Sequence, residues 1–178
     1  MHKYKDAEVV IVFVDSRVDR GVIDQLPKLK LIITRSTGYD HIDVKYAMEK
    51  GIVVCNVPDY ASITVAEYTI ALMLALSRRL KETVQRTSRG TFSREGLSGF
   101  DLSGKTLGVI GTGRIGKYVV KLAHAFDMRI FAYDLVEDES LVKNYHVEYV
   151  ELEKLLKESD IITIHVPYTP QTHPGVLW

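Results

Sequence analysis

Three glycines in one short segment constrain the fold of this chain most. The segment runs Leu107-Gly-Val-Ile-Gly111-Thr-Gly113-Arg-Ile-Gly116, after a strand-like apolar stretch and before a stretch with helical spacing. Gly111 would permit a tight turn, Gly113 would let the backbone approach a ligand, and Gly116 would let the helix pack closely on the strand. Free amides at the start of such a helix attract anions. The segment therefore predicts a turn that binds the diphosphate of a dinucleotide.

A carboxylate follows the next predicted strand. Asp134 lies close to the spacing expected after the glycines. A carboxylate at this place accepts hydrogen bonds from the hydroxyls of an adenosine ribose and would repel a 2′-phosphate. No arginine follows Asp134 nearby in the sequence, so NAD is favoured over NADP. Two alternatives stay open: an ordinary strand-to-helix turn, and an adenosylmethionine-dependent methyltransferase, which also combines a glycine-rich turn with a following acid.

The rest of the chain alternates between strand-like and helix-like segments, which indicates an α/β protein. The nearly continuous apolar run at residues 7–14 predicts a parallel strand covered on both faces. Further strands are predicted at residues 31–34, 52–55, 106–110, 129–133, 147–150 and 161–165. Helices are predicted at residues 22–26, 43–49, 114–126 and 151–158, with a weaker one near Glu139.

A polar, glycine-rich stretch at residues 87–104 predicts a domain junction, because it shows no sustained period. It would act as an arm and linker between a first domain at residues 1–86 and a second at residues 105–178.

A long helix is predicted before this linker. Thr64 and Glu67 have the spacing of a capping box, so the helix is predicted to begin at Thr64 and to continue to residue 85. Its first half is apolar on nearly every side, whereas its second half is charged. This pattern predicts that the first turns are buried between domains or subunits.

Charge and cysteine content exclude several classes of function. Lys+Arg and Asp+Glu both total 23, and no basic stripe interleaved with aromatic residues occurs, so a nucleic-acid partner is not expected. The single cysteine, Cys55, is predicted to be a small buried hydrophobic residue, which suits a reducing cytoplasm. The sequence shows no signal-like leader and no apolar run long enough to cross a bilayer, so a soluble, non-secreted protein is expected.

Several segments, in this order along the chain, resemble those of the D-2-hydroxyacid dehydrogenase family, most closely its D-lactate dehydrogenase branch. They are Arg35-Ser-Thr-Gly-Tyr-Asp-His-Ile-Asp43, Val57-Pro-Asp-Tyr60, Val65-Ala-Glu-Tyr-Thr69, Gly108-Val-Ile-Gly-Thr-Gly-Arg-Ile-Gly116 and His165-Val-Pro-Tyr-Thr169. The resemblance implies a partial flavodoxin-like catalytic domain followed by a partial Rossmann domain, a doubly wound parallel sheet that binds NAD. It also implies hydride transfer between NAD and a small 2-hydroxy or 2-keto acid.

The resemblance assigns roles to individual residues. For the substrate it implies a carboxylate-binding loop and a nearby aromatic residue, which are Thr37, Gly38 and Tyr60. For the cofactor it implies that the glycine turn binds the diphosphate, through Gly111, Gly113, Arg114, Ile115 and Gly116. It implies that Asp134 binds the ribose, that Val166 and Pro167 lie at the strand end beside the adenosine, and that Thr69 lies on a helix near the nicotinamide. The helix after Thr64 and the arm at residues 87–104 resemble the elements that form the family's homodimer.

The family's catalytic Arg, Glu and His have no counterpart in this sequence. In the family all three follow the segment that resembles residues 165–169, so the catalytic residues are unknown here. Hydride transfer needs a cation to clamp the acid and a general acid to protonate the alkoxide. We therefore expect weak NAD binding without turnover from the chain alone. The alternative is a non-catalytic NAD-binding or dimerisation module.

Two further expectations concern the chain's ends. The ending His173-Pro-Gly-Val-Leu-Trp178 departs from the family, and a frameshift or premature stop is one hypothesis for it. A strand at residues 161–165 would lie at the edge of its sheet with unpaired backbone groups, which predicts a marginal or oligomeric protein.

Other polar residues are better explained by structure than by chemistry. His165 is expected at a strand end beside the cofactor rather than as an acid or base. Asp40, His41, Asp43 and Cys55 fit no metal-ligand spacing, and Asp43 is predicted to cap a helix. No metal is expected.

Overall fold

The computed structural model describes residues 4–167 and residue 172. Every strand pairing in this part of the chain is parallel, and helices connect the strands, which confirms the α/β prediction. The chain divides into two compact units. The first comprises the described residues of Met1–Ala61 and Pro167–Trp178, and the second comprises Ser62–Val166.

The first unit is a three-stranded sheet with two short helices. Its strands are β1 (Val9–Val12), β2 (Leu31–Thr34) and β3 (Val53–Cys55), paired in the order β1-β2-β3. Its helices are α1 (Arg20–Asp24) and α2 (Val44–Glu49). Both begin at an aspartate whose carboxylate accepts a first-turn N–H, Asp19 for α1 and Asp43 for α2. The predicted cap at Asp43 is therefore confirmed.

One face of this sheet packs against the helices and the other does not. Val12 and Ile32 are buried with Ile23 and Ala47 of the helices. Side chains alternate along a strand, so Val9, Ile11 and Val53 point to the opposite face, where they are 49%, 64% and 58% exposed. The prediction that residues 7–14 form a strand covered on both faces is wrong for the described residues, because α1 and α2 pack on one face only.

Cys55 lies at the end of β3 on the uncovered face, and its side chain is exposed. The prediction of a buried cysteine is therefore wrong for the same reason. Apolar neighbours in the sequence show that a segment is a strand, but they do not show which of its faces is covered.

The second unit is a four-stranded Rossmann sheet with helices on both faces. Its strands are β4 (Thr106–Ile110), β5 (Arg129–Tyr133), β6 (Glu148–Tyr149) and β7 (Ile161–Ile164), in the order β6-β5-β4-β7. Its helices are α3 (Ser62–Ser77), α4 (Leu80–Ser88), α5 (Arg114–His124), α6 (Glu139–Tyr145) and α7 (Leu152–Glu158). The edge position expected for the last strand is confirmed, since β7 pairs only with β4 among the described strands.

Packing of α3 against α5 forms much of the core of this unit. Ala66, Ile70 and Met73 of α3 are buried in one cluster with Val119 and Val120 of α5. On the opposite face of the sheet, Leu155 of α7 is completely buried. The central strand β4 is thus covered on both sides, which holds its carboxyl end in a fixed position.

The long helix predicted from Thr64 to residue 85 is two helices. It begins two residues earlier, at Ser62, so Thr64 lies inside the first turn and the predicted capping box is wrong. It ends at Ser77, and Arg79 adopts a left-handed conformation with φ of 49° before α4 begins. Tertiary contacts favour the break: the Phe100 N–H donates to the Ser77 carbonyl, and the Arg79 side chain donates to the Ser98 carbonyl.

Helices α3 and α4 and the linker at residues 87–104 group with the Rossmann sheet rather than with the first unit. The proposed domain limits at residues 86 and 104 stay a prediction for the whole protein. In the part of the chain that the structure covers, no helix combines the length and the apolar character that crossing a membrane requires.

Candidate dinucleotide-binding site

The turn between β4 and α5 requires glycine at two of its three glycine positions. Gly111 has φ of +91°, and a Cβ there would lie 2.9 Å from the carbonyl carbon and oxygen of His165. A Cβ on Gly116 would lie 2.0 Å from the Gly111 carbonyl oxygen. Any side chain at either position would displace backbone, so these glycines are needed by the fold itself.

Gly113 is different, because nothing in the described structure occupies the space beside it. It is the N-cap of α5 with an ordinary φ of −66°, and a Cβ there would meet no atom within 4 Å. Among the described residues no side chain caps α5. An open first turn at the positive end of a helix is the environment that binds a diphosphate, so the turn fits the dinucleotide predicted from the sequence.

Asp134 lies against the glycine turn between β4 and α5. Asp134 directly follows β5, and its Oδ2 accepts hydrogen bonds from the Thr112 backbone N–H at 2.6 Å and from Thr112 Oγ1 at 3.1 Å. Its Oδ1 accepts the Leu135 N–H at 2.7 Å. Parallel strands place the carboxyl ends of β4 and β5 at one edge of the sheet, which is why residues far apart in sequence meet here.

Asp134 is ionised at neutral pH. Burial by itself would raise the pKa of this carboxyl, but hydrogen bonds from Thr112, Val136 and Leu135 outweigh that effect and lower the pKa below its ordinary value. An ionised carboxylate accepts hydrogen bonds from ribose hydroxyls and repels a phosphate. The electrostatics of the site therefore fit NAD better than NADP.

Two residues that sequence reasoning missed complete this edge of the site. The Tyr149 hydroxyl lies 3.0 Å from Thr112 Oγ1 and accepts the Asp138 N–H at 3.0 Å. Thr112 occupies a variable position of the glycine pattern, and Tyr149 lies on a two-residue strand whose pairing only the tertiary structure defines. Neither residue has a spacing signal in the sequence.

An ion pair holds the loop after Asp134. Lys117 Nζ on α5 lies 2.5 Å from Asp138 Oδ2 at the start of α6. The ammonium group of Lys117 and the Ser140 hydroxyl lower the pKa of Asp138 to about 2. The pair connects α5, which begins at the glycine turn, to the loop that follows Asp134.

His165 lies against the turn. Its backbone N–H donates to the Ile110 carbonyl at 2.7 Å, and its Nε2 lies 2.8 Å from Thr163 Oγ1. Burial lowers the pKa of His165, so the ring is neutral at neutral pH. These contacts fit the expected structural role at a strand end.

The remaining predicted cofactor residues lie on different elements. Arg114 and Ile115 are the first residues of α5, directly after the open Gly113. Val166 Cγ1 lies 3.0 Å from the place of a Cβ on Gly111. Pro167 is exposed and follows β7, whereas Tyr168 and Thr169 of the resemblance segment lie outside the described residues.

Thr69 belongs to α3 in the second unit. Its hydroxyl donates to the Val65 carbonyl at 2.8 Å, one turn earlier in the same helix. Its proposed place near the nicotinamide therefore rests on the resemblance alone.

The predicted substrate loop belongs to the first unit. Thr37 Oγ1 donates to the Val57 carbonyl at 3.1 Å, and Asn56 Nδ2 donates to the Thr37 carbonyl at 2.8 Å. The Ser36 hydroxyl donates to the Gly38 carbonyl at 2.6 Å. These contacts hold Thr37 and Gly38 in one loop conformation.

Two other features of the first unit bear on the predicted site. Beneath the loop, the buried Thr34 hydroxyl lies 2.5 Å from the Ser36 hydroxyl and 3.1 Å from His41 Nε2. Tyr60 is 54% exposed. Among the described residues, no group of three His, Cys, Asp or Glu side chains is placed to hold a metal ion.

Comparison with known proteins identifies the family. Residues 70–176 match the family model of the D-isomer specific 2-hydroxyacid dehydrogenase NAD binding domain, and residues 1–97 match that of its catalytic domain. The chain is 46% identical to D-3-phosphoglycerate dehydrogenase of Methanocaldococcus jannaschii, over 97% of this chain and 33% of that protein. It is 40% identical to D-lactate dehydrogenase of Escherichia coli, over 93% of this chain and 51% of that protein.

Solved structures agree with these matches. D-lactate dehydrogenase from Aquifex aeolicus, solved in complex with NAD and lactic acid, superposes with a TM-score of 0.89 at 45% identity over 96% of this chain and 51% of that one. The chain spans a third of the length of the first of the two curated relatives and about half of the length of the second. Since the two family models together match residues 1–176, the chain belongs to the D-isomer specific 2-hydroxyacid dehydrogenases and carries their NAD-binding domain.

Proposed function

We propose that the whole protein is an NAD-dependent oxidoreductase that transfers hydride between NAD and C2 of a small 2-hydroxy or 2-keto acid, as a D-lactate dehydrogenase does. One observation carries the proposal: an open helix start at Gly113 lies beside an ionised Asp134 that is hydrogen-bonded to the same turn. This pairing favours a dinucleotide over the methyltransferase alternative, and the family match favours it further.

The proposed roles combine the contacts of the turn and of Asp134 with the roles that the family resemblance implies. Backbone amides of the turn from Gly111 to Gly116 bind the diphosphate, with Arg114 and Ile115 beside it. Asp134 binds the ribose hydroxyls, and Val166 and Pro167 border the adenosine. Bound NAD supplies the hydride acceptor, or in its reduced form the donor.

For the substrate, we propose that backbone amides of Thr37 and Gly38 bind the carboxylate and that Tyr60 borders the acid. Thr69 is proposed to approach the nicotinamide. The general acid and the cation that clamps the substrate are not assigned to residues of this chain, so the chain alone is proposed to bind NAD weakly and without turnover. The non-catalytic NAD-binding module remains the alternative for this segment.

We further propose a homodimer formed through α3. Four of its apolar side chains recur every three or four positions and remain exposed, although the opposite side of the helix is buried: Val65 at 38%, Tyr68 at 65%, Leu72 at 49% and Leu76 at 76%. A contiguous apolar stripe on a helix marks an interaction surface. A second copy is the proposed occupant, since the same helix resembles the dimer-forming element of the family.

We place the protein in the cytoplasm. The free thiol of Cys55 is exposed, and such a thiol persists in a reducing compartment. Fractionation of the source cells with an antibody to the protein tests this placement, and recovery from a secreted or membrane fraction would contradict it.

Nucleotide binding is tested by titrating the 178-residue chain with NAD in a calorimeter. Gly113→Ala is the variant of choice, because its φ of −66° tolerates alanine and its methyl group would enter empty space. We expect the fold to persist and the NAD dissociation constant to rise by about tenfold or more, since the backbone can no longer approach the diphosphate.

Gly21→Ala is the matched control, because Gly21 lies in α1 and its added Cβ would meet only an ordinary contact at 3.4 Å. It should leave NAD affinity unchanged. Equal affinities of the parent chain and Gly113→Ala would contradict the proposed site. Activity of the whole protein is tested separately, by oxidation of NADH in the presence of pyruvate or glyoxylate.

A further inference from the structure

A continuous chain of hydrogen bonds connects four residues beside the glycine turn. The Asp138 N–H donates to the Tyr149 hydroxyl at 3.0 Å. That hydroxyl lies 3.0 Å from Thr112 Oγ1, which in turn lies 3.1 Å from Asp134 Oδ2. This hydrogen-bond network therefore joins the start of α6, the strand β6, the turn before α5 and the end of β5.

The ionised Asp134 carboxylate determines which group donates in each hydrogen bond of this network. A carboxylate only accepts, so Thr112 must donate its single hydroxyl proton to Asp134. Thr112 Oγ1 is then left to accept a proton from the Tyr149 hydroxyl. The Tyr149 oxygen accepts the Asp138 N–H. The network has one arrangement of protons, and removal of either hydroxyl interrupts it.

Water has little access to replace the Thr112 hydroxyl. Thr112 is 3% exposed, and Tyr149 packs against the core of the second unit. A hydrogen bond lost at such a place leaves its partner unsatisfied. The Thr112 side chain would therefore lose its fixed orientation if Tyr149 no longer donated to it.

We propose that Thr112 and Tyr149 are positioning residues that set the preference for NAD over NADP, because they hold the Asp134 carboxylate against the diphosphate turn. The inference rests on the proposed nucleotide site. In this orientation the carboxylate receives the ribose hydroxyls and opposes a 2′-phosphate. Without the two hydroxyls the Asp134 carboxylate keeps only its backbone N–H donors and is held less firmly in this orientation. NAD binding then weakens, and the repulsion of the 2′-phosphate of NADP falls.

The test compares the dissociation constants of NAD and NADP for the 178-residue chain and four variants. Thr112→Val removes the hydroxyl at nearly constant volume, and Tyr149→Phe removes only the phenolic oxygen. Tyr145→Phe is the matched control, because Tyr145 packs against the same core but its ring contacts His124 at 5.5 Å. Thr112→Ser restores the hydroxyl and serves as the rescue.

We expect the ratio of the NADP dissociation constant to the NAD dissociation constant to fall by about fivefold to tenfold in Thr112→Val and in Tyr149→Phe, the effect of one ordinary hydrogen bond. The ratio should keep its parent value in Tyr145→Phe and return to it in Thr112→Ser. A purely structural role would instead lower the thermal midpoint and weaken both nucleotides equally, which would overturn the proposal.

Two other outcomes are decisive. If the parent chain prefers NAD and all variants keep its ratio, the positioning role is wrong and the nucleotide site stands. If the parent chain binds neither nucleotide, the proposed site itself fails, and this inference fails with it. Should Tyr149→Phe not fold, the comparison of Thr112→Val with Thr112→Ser decides on the same ratio.

Discussion

At the scale of single residues, the three glycines of one pattern have two different functions. Gly111 and Gly116 are required by neighbouring backbone atoms, whereas Gly113 leaves space that the described residues do not fill. The pattern in the sequence does not distinguish these reasons. Only the environment of each missing Cβ separates the glycines that the fold needs from the one that a ligand would need.

Asp138 gives a prediction about pH at this scale. Its pKa is lowered from 3.8 to about 2, first by the hydrogen bond from Lys117. A carboxyl with a lowered folded pKa stabilises the protein above its unfolded pKa, and this contribution is lost as the pH falls through the folded pKa. We therefore expect Asp138→Asn to be less stable than the parent chain at neutral pH, with a difference that shrinks between about pH 4 and about pH 2.

Urea unfolding of both proteins over this pH range measures the difference. Lys117→Met is the control, because it removes the main cause of the shift while it keeps the carboxyl. The free energies of unfolding of Lys117→Met and Asp138→Asn should therefore differ less, and their difference should change less with pH over this range. A stability difference between the parent and Asp138→Asn that stays constant down to pH 2 would contradict the prediction.

At the scale of elements, the strands that carry the site were predictable in detail. The predicted limits at residues 31–34, 106–110 and 129–133 coincide with β2, β4 and β5. These strands are short, apolar and bounded by turn residues, so local sequence specifies them. Helix limits shifted where tertiary contacts decided them, as at Ser77, whose carbonyl is satisfied by Phe100 rather than by a continuing helix.

Helix α7 provides a prediction with a built-in control. Leu155 is completely buried against the sheet, whereas the adjacent Leu156 is 53% exposed. Leu155→Ala should lower the free energy of unfolding by about 2–5 kcal/mol, since it deletes buried methyl groups and leaves a cavity. Leu156→Ala removes the same atoms from a half-exposed site and should cost less than about 1 kcal/mol. Urea unfolding measures both, and equal losses would show that α7 is not packed as described.

At the scale of the whole molecule, apolar surface remains exposed in both units. One face of the first sheet and the outer side of α3 carry apolar side chains that the described residues do not cover. Exposed apolar surfaces of this kind favour association, which agrees with the homodimer proposed through α3.

The proposed dimer is tested on α3. Leu72→Glu places a charge in the middle of the exposed stripe and should convert the chain from dimer to monomer at micromolar concentration, as measured by light scattering after size-exclusion chromatography. Val136→Glu is the control, because Val136 is 77% exposed on a loop outside α3. A parent chain that elutes as a monomer, or a Leu72→Glu variant that stays dimeric, would contradict the proposed interface.

Local sequence was sufficient for the alternation of strands and helices, the glycine turn and the acid that follows β5, because each depends on residues within one βαβ unit. It was also sufficient for the family, which the comparisons confirm. Tertiary structure alone decided which sheet face is covered, where the long helix breaks, and that Tyr149 meets Thr112 beside Asp134. These features depend on contacts between residues far apart in the chain, and neither hydrophobic period nor motif spacing encodes such contacts.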